Sequence, residues 1–523
     1  MVKWLILVLY LLVMVGIGVY CHSKTRNVSD FVLGGRSIGP WFSAFAFGTS
    51  YFSAVVFIGY AGQFGWKYGA SAAWIGLGNA LIGSLLAWLI LGRRTRTMTK
   101  ELDATTMPEF FEKRYGSKGL KIAASLIVFL FLIPYTASVY NGLSRLFESS
   151  LGVPYIYCII IMAVFTAIYV IAGGFHATAL NDFVQGIIML IGILAVVFTV
   201  LNKAGGFSNA IDTLNIIPDD DGNTGTLGSL FGPHPLDLFG VVVLTSLGTW
   251  GLPQMIQKFY SISDDAAIKR GTIISTVFAV IVSGGCYFLG GFGRLFATTD
   301  AADTSKALIN VLPNGKLEYD AIVPSMLEAA LPEFLIGLIV VLVLSASMST
   351  LSSLVMTSSS TLTLDLIKPA LAKRGKEMDE KKQVLTIRIF IAVFLLISVI
   401  MAAYKNAYIT TLMSISWGAL SGSFLAPFML GLYSKKITPA AVWACFGFAV
   451  IFTITHTCLF LLGWFPELTA KVASLPIPIT LTSPLNAGAF CMLFGLVLCP
   501  IVSAFTQKQE EKEVNRIFAC YES

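Results

Sequence analysis

Four hydroxyl side chains lie close together in one long apolar stretch of the sequence. The segment 346–353 reads Ala-Ser-Met-Ser-Thr-Leu-Ser-Ser, inside an apolar run over residues 334–363. Four of its hydroxyls, which belong to Ser349, Thr350, Ser352 and Ser353, are clustered. Residues three and four positions apart share a helix face, so these oxygens can be presented together, and hard cations prefer oxygen ligands. The alternative is that they are small packing residues whose hydroxyls bond to carbonyls of their own helix.

Two other apolar segments contain residues that interrupt a helix. Residues 47–54 read Phe-Gly-Thr-Ser-Tyr-Phe-Ser-Ala, and residues 246–254 read Ser-Leu-Gly-Thr-Trp-Gly-Leu-Pro-Gln. Glycine and proline break the backbone hydrogen-bond ladder and free carbonyl groups that can face an ion. Either segment alone could be a kinked helix. Two breaks at matching places in the two halves of a membrane protein indicate a transport site.

An acidic residue, Asp182, lies at the inner end of a further apolar segment, in Leu-Asn-Asp-Phe at residues 180–183. A carboxylate in or near a membrane-spanning helix is costly and is usually functional. At the start of a helix, however, an aspartate is also a favourable capping residue. Its position in the sequence leaves both interpretations open.

The composition indicates an integral membrane protein. Of the 523 residues, 56% are hydrophobic and only 12% are charged, and several apolar windows reach the length of about 20 residues that a spanning helix needs. The eight cysteines and four histidines are scattered, so they suggest no metal site or disulfide framework. We predict thirteen spanning helices, over residues 2–20, 39–64, 70–92, 121–145, 155–172, 178–201, 236–260, 271–297, 334–364, 386–404, 407–433, 437–463 and 486–506.

The basic residues predict the orientation. With thirteen spans, most of the 35 lysines and arginines fall in loops on one side, among them Lys258, Lys269 and Arg270, which we assign to one inner loop. The positive-inside rule places that side in the cytosol. We therefore expect the N-terminus outside, the C-terminus in the cytosol, and a solvated tail over residues 507–523. The two long outer loops, 202–235 and 298–333, are expected to hold short surface helices.

Several motifs together resemble one known family. They are Leu-Gly-Gly-Arg-Ser at 33–37, Gly-Gly at 173–174 before Asn-Asp at 181–182, Arg-Leu-Phe-Glu-Ser at 145–149, and the hydroxyl segment at 346–352. The chain resembles the sodium:solute symporter family over almost its whole length. The resemblance implies an all-α membrane protein with a leucine-transporter-like core of two inverted five-helix repeats.

The resemblance also implies a division of the chain. An extra N-terminal helix would occupy residues 1–20, followed by the two repeats at 39–201 and 236–433. Two additional helices at 437–506 and a cytoplasmic tail at 507–523 would complete the chain.

In that family one sodium ion binds between the broken second span and the ninth span. The matching groups in this sequence are the carbonyls of Thr49, Phe52 and Ala346 and the hydroxyls of Ser349 and Thr350. Some members have a second sodium site. Its matching residues are Asp182, Ser349, Ser352 and Ser353.

The solute is less clearly indicated. The resemblance extends to bacterial proline and pantothenate carriers, but proline carriers have an aspartate where this chain has Tyr51, and aromatic residues where it has Thr245 and Thr249. Proline is therefore doubtful, and the runs Thr-Ser-Tyr-Phe-Ser-Ala at 49–54 and Leu-Asn-Asp at 180–182 look closer to pantothenate carriers. The candidate lining residues are Tyr51, Ser53, Tyr140, Asn141, Thr249, Trp250, Gln254 and Trp417. For each of them, helix packing or anchoring at the membrane interface is an equal alternative.

We therefore expect a cell-membrane transporter, not an enzyme, that couples sodium influx to uptake of a small organic solute. Helix ends near Ser53 and Gly251 could hold a carboxylate, which favours pantothenate, an amino acid or a short-chain acid. Sodium would be the co-transported ion, without an organic cofactor. The expected partners are the solute and the lipid bilayer, with no nucleic acid and no obligatory protein partner. A transporter-like solute sensor, a sodium-coupled sugar or sialic acid carrier, and a channel remain alternatives.

Overall fold

The computed structural model describes residues 2–22, 27–311, 317–404, 409–475 and 479–522, and they are almost entirely helical. The α-helices of the first half are α1 Val2–His22, α2 Val28–Leu33, α3 Pro40–Tyr51, α4 Ala61–Tyr68, α5 Ala73–Gly78, α6 Arg93–Glu101, α7 Met107–Tyr115, α8 Lys118–Leu151, α9 Tyr155–Lys203, α10 Phe207–Ile216 and α11 Pro235–Leu247. Those of the second half are α12 Pro253–Tyr260, α13 Asp265–Gly290, α14 Gly293–Phe296, α15 Ile322–Ala330, α16 Glu333–Thr361, α17 Lys368–Ala372, α18 Glu380–Ala403, α19 Ile409–Tyr433, α20 Pro439–His456, α21 Pro466–Ala473, α22 Pro484–Phe505 and α23 Glu511–Phe518.

Shorter elements join these helices. The π-helical turns are Val55–Tyr60, Asn79–Leu86, Trp88–Gly92, Leu362–Ile367 and Thr457–Leu461, and the 3₁₀ turns are Gly34–Arg36, Gly69–Ala72, Gly248–Trp250, Tyr319–Ala321 and Ala519–Tyr521. Two short strands, β1 Ala297–Thr298 and β2 Ala307–Leu308, pair in parallel.

Ten helical segments of the described chain are long and apolar enough to cross a membrane, or eleven if the bent pair Pro235–Trp250 and Pro253–Tyr260 forms one span. Two of the ten, Val55–Glu101 and Tyr155–Lys203, have 47 and 49 residues. At about 1.5 Å per residue each exceeds twice the roughly 30 Å thickness of the hydrocarbon core. Each also contains a glycine with left-handed φ, Gly69 at 58° and Gly174 at 55°. Dividing both at these glycines gives thirteen segments, but the piece 55–69 is shorter than the roughly 20 residues of a span, so the predicted number of thirteen spans stays a prediction.

Both predicted helix interruptions are present. The helix α3 ends at Tyr51, and helical structure resumes at Val55, where the hydroxyl of Ser53 accepts a hydrogen bond from the Val55 N–H at 3.2 Å. In the other half, α11 ends at Leu247, a single 3₁₀ turn follows, and α12 begins at Pro253 with a bend of 41°. Proline is favourable there because the first helical N–H has no intrahelical partner in any case.

The helix α16 is central in the structure. Every side chain over residues 339–361 is buried, and α16 packs against α8, α9 and α18. A helix that is buried all round needs partners for its polar groups as well as its apolar ones. Several of its hydroxyls, among them those of Ser347, Ser349 and Thr350, therefore bond to carbonyls within the protein.

The predicted outer loops hold short helices, as expected. They are α10 in the first loop and α15 in the second. Ion pairs join these loops to the helix bundle: Arg145 contacts Glu318 at 3.0 Å, and Arg294 contacts Asp220. The part of the second loop around Pro313 lies outside the described residues.

The tail is solvated only in part: its described charged residues are exposed, as predicted, but it also packs on the protein. Three residues of α23, Val514, Ile517 and Phe518, are buried, and their spacing of i, i+3, i+4 gives the helix one apolar face that packs on the protein. Beside this face, the guanidinium of Arg114 donates a hydrogen bond to the side chain of Gln509 at 2.9 Å. The tail is charged only on its other face, which composition alone did not reveal.

Candidate functional site

The hydroxyls of α16 meet the last turn of α3 at its break. The Ser349 hydroxyl lies 2.9 Å from the carbonyl oxygen of Thr49 and 3.0 Å from that of Ala346. The Thr350 hydroxyl lies 3.4 Å from the Thr49 carbonyl, 3.3 Å from that of Ser50 and 3.1 Å from that of Ala346. Five oxygens, two from hydroxyls and three from carbonyls, are thus gathered in one buried place.

The break in α3 explains why these carbonyls are available. In a continuous helix the carbonyls of Thr49 and Ser50 would accept hydrogen bonds from N–H groups four residues later, but α3 ends at Tyr51. The hydroxyls of α16 take the place of those donors. Phe52, whose carbonyl is the remaining predicted ligand, lies in the break itself and is fully buried. The structure therefore brings the four other predicted ligand groups together, and Phe52 follows Thr49 by three residues.

The chemistry of this group of oxygens suits a monovalent hard cation. All five oxygens are neutral, and the residues that carry them have no exposed surface or almost none. A hydroxyl can turn its proton away and offer its lone pairs to a cation, while a carbonyl offers its lone pairs directly. Neutral oxygens hold a cation without fixing it as strongly as carboxylates would, which suits an ion that must be released.

The residues predicted for a second sodium site have separate partners. Asp182 is fully buried, and one of its carboxylate oxygens lies 3.5 Å from the ammonium of Lys258. The hydroxyl of Ser352 donates to the carbonyl of Ser349 at 2.8 Å. The hydroxyl of Ser353 lies 2.7 Å from that of Ser50. The second site stays a prediction.

Lys258 is the residue that the sequence analysis misplaced. We assigned it to an inner loop with Lys269 and Arg270, but it lies within α12 and is only 4% exposed. The positive-inside argument treats a lysine near the end of an apolar run as a loop residue because a lone buried ammonium is costly. Here the buried carboxylate of Asp182 offsets that cost. The available sequence signal was the position of Lys258 inside the predicted span 236–260.

Four of the candidate solute-binding residues form one cluster beside the break in the second half. The Tyr51 hydroxyl donates to the carbonyl of Thr245 at 2.6 Å, and its ring centroid lies 6.3 Å from that of Trp417. The side chains of Thr249 and Trp250 donate to the carbonyls of Gly83 and Ile82 at 3.1 and 3.0 Å. This cluster contains Tyr51, Thr249, Trp250 and Trp417.

The other four candidates lie elsewhere. Ser53 caps the turn at Val55. Asn141 pairs with the hydroxyl of Tyr155. Tyr140 is fully buried, and its hydroxyl has no hydrogen-bond partner within the described part of the chain. Gln254 faces a separate small cavity that Lys258 also lines.

Comparison with known proteins now identifies the family. The family model described as "Sodium:solute symporter family" matches residues 31–447. The chain belongs to the sodium:solute symporter family. Among curated relatives, the osmoregulated proline transporter OpuE of Bacillus subtilis (strain 168) is 28% identical over 440 residues, which cover 82% of this chain and 83% of the relative. A sodium/proline symporter of Staphylococcus aureus (strain JH9) is 29% identical over 443 residues, covering 84% and 82%.

Solved structures show the same fold. A sodium-coupled sialic acid symporter superposes with a TM-score of 0.74 at 17% identity, covering 97% of this chain and 98% of the other. Mhp1, a nucleobase-cation-symport-1 family transporter, superposes with a TM-score of 0.53 at 15% identity, covering 95% and 99%. The predicted all-α, leucine-transporter-like membrane fold is confirmed.

Family membership establishes that this symporter-family chain is a multi-span membrane transporter of sodium-coupled type. The predicted family and the expected class of transporter are therefore confirmed. The two curated relatives are named for proline. They give no support to the sequence-based preference for pantothenate carriers.

Proposed function

We propose that this symporter couples sodium entry to the uptake of a small solute, with sodium bound at the break in α3. The ligands would be the carbonyls of Thr49, Phe52 and Ala346 and the hydroxyls of Ser349 and Thr350. One observation carries the proposal: two buried hydroxyls of α16 lie within 3.4 Å of the carbonyls of Thr49 and Ser50, which the break leaves without helical partners. A membrane potential of 100 mV would contribute about 2.3 kcal/mol per ion, enough for about fortyfold accumulation of the solute.

The proposed solute is a small molecule with a carboxylate, and proline is the first candidate because two curated relatives are named for it. The cluster of Tyr51, Thr249, Trp250 and Trp417 would bind its apolar part. The helix that resumes at Val55 and the start of α12 would face its carboxylate, because helix N-termini favour anions. Tyr51 and Thr249 differ from the residues of proline carriers, so pantothenate and short-chain acids belong in the same test.

The proposed architecture follows the same division as the sequence. Residues 39–201 and 236–433 would form two inverted five-helix repeats, each with its break in its first helix. Residues 1–20 and 437–506 would be additional spanning helices, with the N-terminus outside and residues 507–523 in the cytosol. The equivalent places of the two breaks, after Tyr51 and after Leu247, support this division.

The test is uptake by purified protein in lipid vesicles. Radiolabelled proline is supplied with an inward sodium gradient or with potassium in place of sodium. We expect saturable uptake with sodium only, and competition by unlabelled pantothenate or short-chain acids if they share the site. Prolinamide, which lacks the carboxylate, should compete poorly. Equal competition by prolinamide and proline would refute the carboxylate assignment, and solute uptake without sodium would refute coupling.

A further inference from the structure

The most unusual buried group outside the proposed sodium site is the pair of Asp182 and Lys258. The Asp182 carboxylate lies on α9 and the Lys258 ammonium on α12, 3.5 Å apart. Their side chains are 0% and 5% exposed. Within the described part of the chain, neither residue forms another ion pair. Removing only one member of such a buried pair strongly destabilises the folded protein, because the other charge is left without a partner.

Lys258 also lies close to one hydroxyl of α16. Lys258 and Ser353 line the same small cavity, together with Gln254 and Thr357. The Ser353 hydroxyl in turn contacts that of Ser50, whose carbonyl lies 3.3 Å from the hydroxyl of the proposed sodium ligand Thr350. Lys258 therefore contacts the carboxylate of the predicted second sodium site and shares a cavity with Ser353, one of its serines.

An ammonium and a sodium ion have the same electrostatic effect on the carboxylate of Asp182. Each carries one positive charge and neutralises one carboxylate. With Lys258 present the pair is already neutral, and a sodium ion added beside it would be repelled by the ammonium in surroundings that screen charge poorly. The second oxygen of Asp182 has no hydrogen-bond partner among the described residues. The carboxylate could therefore still bind a cation through this oxygen if the charge of the ammonium were removed.

We propose that the ammonium of Lys258 takes the place of a second sodium ion beside Asp182, so that this protein binds and carries one sodium per cycle. The proposal rests on the proposed function of the site at Ser349 and Thr350. The predicted second set, Asp182 with Ser349, Ser352 and Ser353, becomes a sodium site only when the ammonium is removed. Lys258 is thus a residue that determines ion stoichiometry.

The test counts sodium ions directly and needs no knowledge of the solute. Radioactive sodium is titrated against purified protein, and bound ions per protein are measured to saturation. We expect one ion for the wild type, two for Lys258→Met, and one again for the double variant Asp182→Asn with Lys258→Met. The matched control is Lys269→Met, which removes an exposed lysine from the neighbouring helix α13 and should bind one ion.

The outcomes separate this inference from the function it rests on. Two ions bound by the wild type would overturn the inference alone. One ion bound by a folded Lys258→Met variant, as judged by its thermal unfolding, would also overturn it. If that variant does not fold, the wild-type count still decides. No sodium bound by the wild type would overturn the proposed sodium site and this inference with it.

Discussion

Replacing Ser349 by alanine tests the proposed sodium site most directly. The change removes one ligand oxygen, while alanine keeps the helix. The Ser349 hydroxyl lies 2.9 and 3.0 Å from two carbonyls of the same site, so its loss also leaves those carbonyls less well positioned. A hydrogen bond or dipole contact to a charged group is worth about 1.5–3 kcal/mol. The sodium concentration for half-maximal uptake should therefore rise about ten- to hundredfold, and Thr350→Ala should act in the same direction.

The assay is the initial rate of solute uptake into vesicles as sodium is varied at saturating solute. Ser347→Ala is the matched control, because Ser347 is also fully buried on α16 but donates to the carbonyl of Val343 at 2.7 Å, within its own helix. It should leave the sodium dependence unchanged. If Ser349→Ala and Thr350→Ala both follow the curve of Ser347→Ala, the reasoning fails and the hydroxyls are packing residues.

Three further predictions concern the solute cluster, the outer region and the topology. Tyr51→Phe removes the hydroxyl that donates to the carbonyl of Thr245 at 2.6 Å. It should raise the solute KM about two- to tenfold and leave the sodium dependence of uptake unchanged. A shift in the sodium dependence alone would contradict the assignment of Tyr51 to the solute site. Burial raises the pKa of Asp320 in the outer region to about 6. Because a raised carboxyl pKa destabilises the folded state as pH rises through that value, Asp320→Asn should gain about 3 kcal/mol of stability at pH 8. That gain should vanish below about pH 4, and thermal unfolding at both pH values measures it. In a cysteine-free background, Lys376→Cys should react with an impermeant thiol reagent only from inside, and Thr224→Cys only from outside; the reverse pattern would overturn the orientation.

The sequence was sufficient to predict features that depend on neighbouring residues. The breaks after Tyr51 and Leu247 follow from glycine, proline and polar residues within a few positions. The shared face of Ser349 and Ser352 follows from helical spacing alone. These features are local, and the structure reproduces them. That the hydroxyls of α16 meet the carbonyls of α3 is not local, because 300 residues separate Ser349 from Thr49. That contact was implied only by the resemblance to a family.

The solute cluster shows where the sequence was insufficient. Eight residues, from the two breaks, α8 and α19, were equally good candidates from the sequence. Only four of them lie in the cluster of Tyr51, Thr249, Trp250 and Trp417. Asn141 was a reasonable candidate because it is polar and lies in an apolar helix, yet it pairs with Tyr155, on the following helix. Which side of α8 faces the break depends on how α8 packs against α16 and α19. The spacing of apolar residues cannot show which side of α8 faces the break, because this helix is apolar on nearly all sides.

Lys258 shows the same limit for charge. The positive-inside rule treats each lysine separately, so it assigns a lysine at the end of an apolar run to a loop. The rule fails when a second charge cancels the cost of burial, and here the partner is 76 residues away on another helix. The same cancellation explains the contrast between the two places where a cation could bind. At the break in α3 the oxygens are neutral, so in the proposed cycle a mobile ion would supply the charge that moves with the solute. Beside Asp182 the charge is already supplied by the chain, and it cannot leave the protein.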